Sequence, residues 1–430
     1  MKLLLLILLM SVTLLCACGP DAASPEHSSS AGGARTAADD VIRGRQVVKL
    51  AVIARSKEWL PMVIAGFNNS SVNYYLEADY YYVGGMFDQE VTPEFDEAVT
   101  RFNIDITARN NYDIVLLSSW MQTGSYISKG LFADLNEFMD ADPDFDRADY
   151  LPELFTALDR KGKIYEIPPL FFMNVILAKT ADVGTDTHWT LDEFAAFIES
   201  RPDVRYIFGN LSKKDFINRV TQYMFVNPGA GEITFDRDGF KKILQIAERF
   251  PSEIPPDYNI GNNPLMYSIT AYDFLNAAMS GDLLFGEEST MKGWPSSTDS
   301  GMLLAVDDYF SIFKSAENAD GAWTFLKYAL NHAEHQYKFR LPVNISLLEK
   351  AADKYLTADY TGFDFYIGSQ AEVDRIMALY KSASTIDREN IYIRSIIDEE
   401  IGSYLNGLKP ADTVIDIIEN RIAIYLAEQE

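Results

Sequence analysis

Among the adjacent carboxylates in the second half of the chain are Glu287-Glu288 and Asp307-Asp308. A carboxylate pair is the machinery of glycoside hydrolysis, which needs an acid and a nucleophile or base facing each other across the scissile bond. Neighbours on a strand point to opposite faces, so neither pair suits that chemistry. Histidine chemistry is equally thin: outside His27 in a Ser/Ala-rich stretch, only His188, His332 and His335 remain. His332-x-x-His335 has helical spacing for a metal, but reads better as a solvated helix end. No Gly-x-x-x-x-Gly-Lys-Ser/Thr loop is present, so the chain carries no cradle for nucleotide hydrolysis. Both cysteines, Cys16 and Cys18, precede the first strand, which leaves the fold without a thiolate nucleophile, thiolate metal site or disulfide. The sequence therefore predicts no catalysis, no cofactor and no metal. What remains is recognition by flat aromatic faces and polar groups.

Such groups need elements to hold them. Residues 47–54 are a nearly continuous apolar run, as expected of a strand covered on both faces. Residues 93–108 place Phe95, Val99, Phe102 and Ile106 at helical spacing behind Pro93, a first-turn residue. Asp113–Leu117 is a second buried strand. Strand, helix and strand in this order predict a parallel α/β unit. Ligands of open α/β sheets bind beyond the carboxyl ends of strands, which singles out Trp59 after the first strand and Ser119 with Trp120 after the second. A second α/β region is expected from about Ile167. Thr190 and Glu193 have capping-box spacing, ahead of Phe194, Phe197 and Ile198. Helical stripes follow at Ala322, Phe325, Leu326, Ala329 and Leu330, and at Ile393, Ile397, Ile401 and Leu405 before Gly407. The last runs through Val414, Ile417, Ile418, Ile422, Tyr425 and Leu426. Trp189, Trp294 and Trp323 are assigned to packing.

The chain of 430 residues is long enough for two domains. Its formal charge of −26 repels nucleic-acid phosphates and anionic membranes, which excludes polynucleotide binding. After Met1-Lys2, residues 3–15 form an apolar run too short to span a bilayer but suited to a secretory signal. It ends in Leu15-Cys16-Ala17-Cys18-Gly19, which resembles the bacterial lipobox. That resemblance implies a signal peptide over 1–17 and acylation of Cys18, with Cys16 removed. Multiple acyl chains would anchor the protein stably to the outer face of the cell membrane. Residues 18–45, rich in Ala, Ser and Gly, read as a flexible tether.

From residue 47 onward, six motifs occur in order. Tyr112-Asp113-Ile114-Val115 is followed by Lys129-Gly130-Leu131-Phe132-Ala133-Asp134-Leu135 and Gly162-Lys163-Ile164-Tyr165-Glu166-Ile167-Pro168. Next come Trp189-Thr190-Leu191-Asp192-Glu193-Phe194, the run Glu317-Asn318-x-x-Gly321-Ala322-Trp323-x-Phe325-Leu326-Lys327, and Asn420-Arg421 with Tyr425 and Glu428. Together they resemble the extracellular solute-binding proteins (family 1 type) that feed ABC sugar importers. The sequence departs from that family at Tyr112, where Pro is usual, at Glu166, where Gly is usual, and over 351–390, which matches nothing in it.

The resemblance implies an α/β, two-lobed periplasmic-binding-protein-like fold with hinge strands and a ligand cleft. The first lobe would comprise 46–165 and 306–340, the second 168–305 and 342–430, with crossings near Ile167-Pro168, Val306-Asp307 and Leu341-Pro342. It also implies a monomer that captures a carbohydrate by hinge closure and passes it to ABC permease subunits. Cleft-facing positions then add Phe172 and Asn174 after the first crossing, and Asp308 with Tyr309 at the second. Glu287 and Glu288 lie where the family often places ligand contacts. The competing readings are a receptor for a peptide or polyamine, and a surface-anchored glycoside hydrolase.

Overall fold

Alternating burial organises the first sheet. In the computed structural model, Val48, Leu50, Val52 and Ala54 of the first strand pack into one apolar cluster, whereas Ala51 and Ile53 pack into another on the opposite face. The structure describes residues 44–54, 59–84, 92–108, 111–121, 123–224, 235–254, 264–295, 302–332, 340–357, 369–383, 385–386 and 391–427. The signal segment, Cys16, Cys18, His27, the tether up to Arg43 and His335 lie outside them. Strands among these residues are β1 (Gln46–Ala54), β2 (Tyr74–Val83), β3 (Ile114–Ser118), β4 (Leu170–Lys179) and β5 (Met266–Ala271), then β6 (Ser289–Lys292), β7 (Leu303–Ala305), β8 (Asp308–Ile312), β9 (Leu341–Pro342) and β10 (Thr385–Ile386).

One sheet has the order β2-β1-β3-β8, with β1 parallel to β2 and β3, and β8 antiparallel to β3. The parallel pairing of β1 and β3 is the α/β unit read from the sequence. A helix at Leu60–Ser70 and the edge strand β2 also lie between β1 and the helix Pro93–Ala108. In that helix Phe95, Phe102 and Ile106 are buried.

The second sheet has the order β10-β7-β4-β5, and β6 and β9 also pair with β4. Along β4, Met173, Val175 and Leu177 face one cluster and Ile176 and Ala178 the other, the period of two of a strand covered on both sides. The second cluster holds helices Leu191–Glu199, Lys213–Met224, Arg237–Ala247, Ile391–Leu405 and Ala411–Ala427. Thr190 caps the first of these by the expected reciprocal box: its Oγ1 accepts from the Glu193 N–H at 3.2 Å, and Glu193 accepts from the Thr190 N–H at 2.7 Å. The helix ending at Leu405 is followed by Gly407 with φ of 67°, a left-handed conformation that glycine adopts without strain. Residues 345–356 and 370–381, within or beside the stretch that matched no motif, are helices packed with Phe274–Leu284 on the other face.

Among the described residues the chain passes between the sheets three times. Ile167 bridges Phe310 of the first sheet and Leu170 opens β4 of the second. Ala305 ends β7 in the second sheet and Asp308 opens β8 in the first. After the helix Ala319–Asn331, which packs on β1 and β8, β9 returns the chain to β4. No helix among the described residues is long and apolar enough to cross a membrane.

Candidate functional site

The passages between the sheets bring together residues far apart in sequence. A small groove, partly open to solvent and with room for about one water, is lined by Trp59, Pro169, Leu170, Asp307 and Asp308. Trp59 reaches it because the helix at Leu60–Ser70 starts there, with Pro61 in the first turn and the Trp59 carbonyl accepting from the Val63 N–H at 3.1 Å. The indole is 1% exposed and meets Phe310 edge-on, with centroids 5.9 Å apart. Asp308 opens β8 opposite Ser118 and is buried.

Beside this groove lies a buried ion pair. Asp307 Oδ2 accepts from Arg340 Nε at 2.6 Å and Oδ1 from Nη2 at 3.2 Å, the two-pronged geometry that guanidinium and carboxylate favour. The guanidinium also lies 4.3 Å from the ring centroid of Phe172 and 5.0 Å from that of Tyr272. A cation over an aromatic face is held by the ring quadrupole, more strongly when water is excluded. Phe172 and Tyr272 are themselves in tilted contact at 5.8 Å. Two residues along β4, the Asn174 Oδ1 accepts from Thr270 Oγ1 at 2.9 Å. Next to Tyr272, burial pushes the Asp273 carboxyl above its ordinary range, against the hydrogen bonds it accepts from the Asn276 and Leu275 N–H groups.

The sequence-derived candidates thus divide. Trp59 and Asp308 share the groove, and Phe172 joins its margin through Arg340 and Asp307. Ser119 is half-buried and reaches the same place through its backbone, its N–H donating to the Asp307 carbonyl at 2.7 Å. Trp120 turns inward and packs edge-on against Phe95 at 5.7 Å, and Tyr309 is buried opposite Leu117. Glu287 and Glu288 are exposed at the far end of β4, where Glu287 pairs with Lys179 at 2.8 Å and the Glu288 carbonyl accepts from the Thr180 N–H at 3.0 Å. The nine steps of β4 between Leu170 and Lys179 put them about 30 Å from the groove. Glu166, one of the departures from the family pattern, is fully buried against Arg160 at 2.8 Å, just ahead of the first passage.

Arg340, Asp307 and Tyr272 were not singled out from the sequence as contacts. The available signal was position: Arg340 immediately precedes the apolar Leu341-Pro342 step, and Asp307 follows Val306 between two short strands. His332 ends a helix and its ring stacks on Tyr328 at 3.8 Å. Trp294 is fully buried and parallel to Phe208 at 5.7 Å.

In overall fold the chain is similar to solved extracellular binding proteins. One is the "extracellular solute-binding protein family 1" of Alicyclobacillus acidocaldarius, at 12% identity over 88% of this chain and 98% of that one, with a TM-score of 0.57. Another is the sugar-binding protein MalE of Xanthomonas citri, at 13% identity, covering 90% and 100%, with a TM-score of 0.55. A third is an ABC substrate-binding protein of Listeria monocytogenes solved with cycloalternan, at 14% identity, covering 89% and 99%, with a TM-score of 0.50. No protein-family model matches the chain, and no curated protein matches it. The fold is therefore the two-lobed α/β fold of solute-binding proteins.

Proposed function

We propose that this chain is the solute-binding component of an ABC importer and that it captures a carbohydrate between its lobes. The observation that carries the reading is the groove where the chain passes between its two sheets, which brings Trp59, Asp307 and Asp308 to one place. A sugar ring has an apolar C–H face for an indole and a rim of hydroxyls for carboxylate acceptors. Two of the structurally similar proteins are described as sugar-binding or hold a cyclic sugar. The ion pair with Arg340 favours a neutral ligand over a polyamine, because Asp307 already faces a guanidinium charge.

In this reading the lobes are 46–165 with 306–340 and 168–305 with 342–430. Ligand bridges them and raises the closed population only by its difference in affinity between states. Permease subunits then recognise the closed form. Acylated Cys18 holds the receptor on the outer face of the membrane, and residues 19–45 give it reach. A micromolar receptor needs about −8 kcal/mol.

Isothermal titration and thermal-shift measurements against linear and cyclic gluco-oligosaccharides, peptides and polyamines test this. Binding of one carbohydrate class, with the sugar recovered unchanged, is the expected outcome. Release of a shortened sugar, or stabilisation by peptides or polyamines alone, would overturn it.

A further inference from the structure

The Arg340 ion pair lies at the passages between the sheets and touches all three. Asp307 belongs to the second passage, between β7 and β8. Arg340 opens the third, directly before β9. Phe172, under the guanidinium, follows the first within β4, and Tyr272 directly follows β5 of the same sheet. The backbone of Asp307 meanwhile binds the first sheet, its carbonyl accepting from the Ser119 N–H beyond β3. A line of contacts thus runs from Ser119 through Asp307 and Arg340 to Phe172 and Tyr272, from one sheet to the other.

Proline distinguishes the three passages. The first contains Pro168 and Pro169 and the third Pro342, each with φ locked by its ring. Val306-Asp307, in the second, has no such restraint. Arg340 and Asp307 are 6% and 7% exposed, so little water competes for their hydrogen bonds. The two-pronged pair fixes the plane of the carboxylate as well as its position, and the two rings fix the plane of the guanidinium. Because Asp307 also lines the groove, whatever holds it holds one wall of the groove.

We infer that Arg340 is a positioning residue: it clasps the second passage through Asp307 and sets how far the two lobes sample open arrangements before ligand arrives. The clasp rests on the solute-capture reading for its purpose, but its physical effect is measurable without any ligand. Removing it takes away the two-pronged restraint on the Asp307 carboxylate and loosens the passage that carries no proline. The binding-competent fraction then falls, and apparent affinity falls in proportion.

The fold contains no cysteine once Cys16 and Cys18 are replaced by Ser, so a labelled pair can be introduced cleanly. Spin labels at Glu97→Cys and Ser395→Cys, on exposed faces of a helix beside the first sheet and a helix beside the second, report the spread of interlobe distances. In the ligand-free chain, Arg340→Gln should broaden this distribution. Arg340→Lys should narrow it only partly, since it restores charge but neither the fork nor the flat face. The double variant Arg340→Gln/Asp307→Asn should be no broader than Arg340→Gln, the non-additivity expected of a contacting pair. Tyr272→Leu removes one ring and keeps the ion pair, and serves if Arg340→Gln does not fold. Titration with the oligosaccharide that the parent binds should show a loss of roughly tenfold in Arg340→Gln. An unchanged distance distribution in both Arg340→Gln and Tyr272→Leu would overturn the clasp. A broadened one in a chain that binds no carbohydrate would support the clasp and reject the sugar reading.

Discussion

Trp59 has two separable duties, packing against Phe310 and walling the groove, and a pair of substitutions distinguishes them. Its indole is essentially buried, so Trp59→Ala removes a large apolar volume beside a fully buried Phe310 that cannot relax to fill it. Large-to-small changes of this kind cost about 3–5 kcal/mol, of which the edge-on ring contact accounts for about 0.5–1.5 kcal/mol. The unfolding entropy of a fold this size is roughly 0.8 kcal/mol per kelvin, so the melting temperature should fall by about 5 °C. Trp59→Phe keeps a ring against Phe310 and should cost under about 2 kcal/mol. It narrows the face offered to a sugar, and losing part of one stacking contact of about 0.5–1.5 kcal/mol weakens binding by roughly two- to tenfold. Calorimetric melting of both variants and titration of Trp59→Phe with the preferred oligosaccharide give the two numbers. A melting point unmoved in Trp59→Ala would refute the packing argument. Undiminished affinity in Trp59→Phe would show that ligand does not use this wall.

Asp142 supplies a pH test: burial alone would raise its carboxyl, but hydrogen bonds from Lys327 and Trp323, from the Asp144 N–H, and the Lys327 charge bring it below its usual value. A carboxyl depressed in the folded state contributes stability above its unfolded value, near pH 4, and loses it as pH falls through the lower folded value. Urea melts should therefore show Asp142→Asn weaker than the parent at pH 7 by on the order of 1–2 kcal/mol, with the gap closing below about pH 4. Thr190→Ala deletes the cap of the helix Leu191–Glu199 and should cost about 1 kcal/mol in the same assay, with no change in affinity. Cys18→Ser should move the protein from the membrane fraction to the medium and abolish incorporation of labelled palmitate; retention of label would assign the anchor elsewhere.

The sequence made the buried elements plain and the half-buried ones obscure. β1 and β3 are covered on both faces, so their unbroken apolar runs stand out, and the Thr190 box is written in residue types alone. β2 is a sheet edge in which Glu77 and Asp79 break the apolar run, and the alternation from Leu76 to Tyr80 is flanked by tyrosines on both sides, so no single period spans the strand. The place of Trp59 was legible because it lies between the first strand and the helix at Leu60–Ser70. The same rule could not tell Trp59 from Trp120, because the inward turn of Trp120 depends on Phe95, which arrives from a different helix. Glu287 and Glu288 follow a helix and precede a strand that runs toward the groove, which leaves them at the opposite end. Arg340 finds Asp307 across 33 residues of chain, and nothing in either local sequence encodes the pairing.

The core itself limits how the lobes can move. Phe171 of β4, Phe310 of β8, Leu341 of β9 and Val343 beyond it are at most 1% exposed and belong to one apolar cluster that spans both sheets. Exposing one such side chain costs about 1.5–3 kcal/mol, so parting all four would cost roughly 6–12 kcal/mol. That is as large as the whole binding energy of a micromolar ligand, about 8 kcal/mol. An opening that splits this cluster would leave the ligand-free molecule shut, so capture by closure needs one that keeps it intact. The change must instead be absorbed in the short segments between the sheets, with the apolar contacts around Phe171 and Phe310 kept throughout. Those segments are few, and proline stiffens two of the three. In the proposed capture by hinge closure, the freedom to open would be concentrated at Val306-Asp307, where Asp307 also meets Arg340 and the groove.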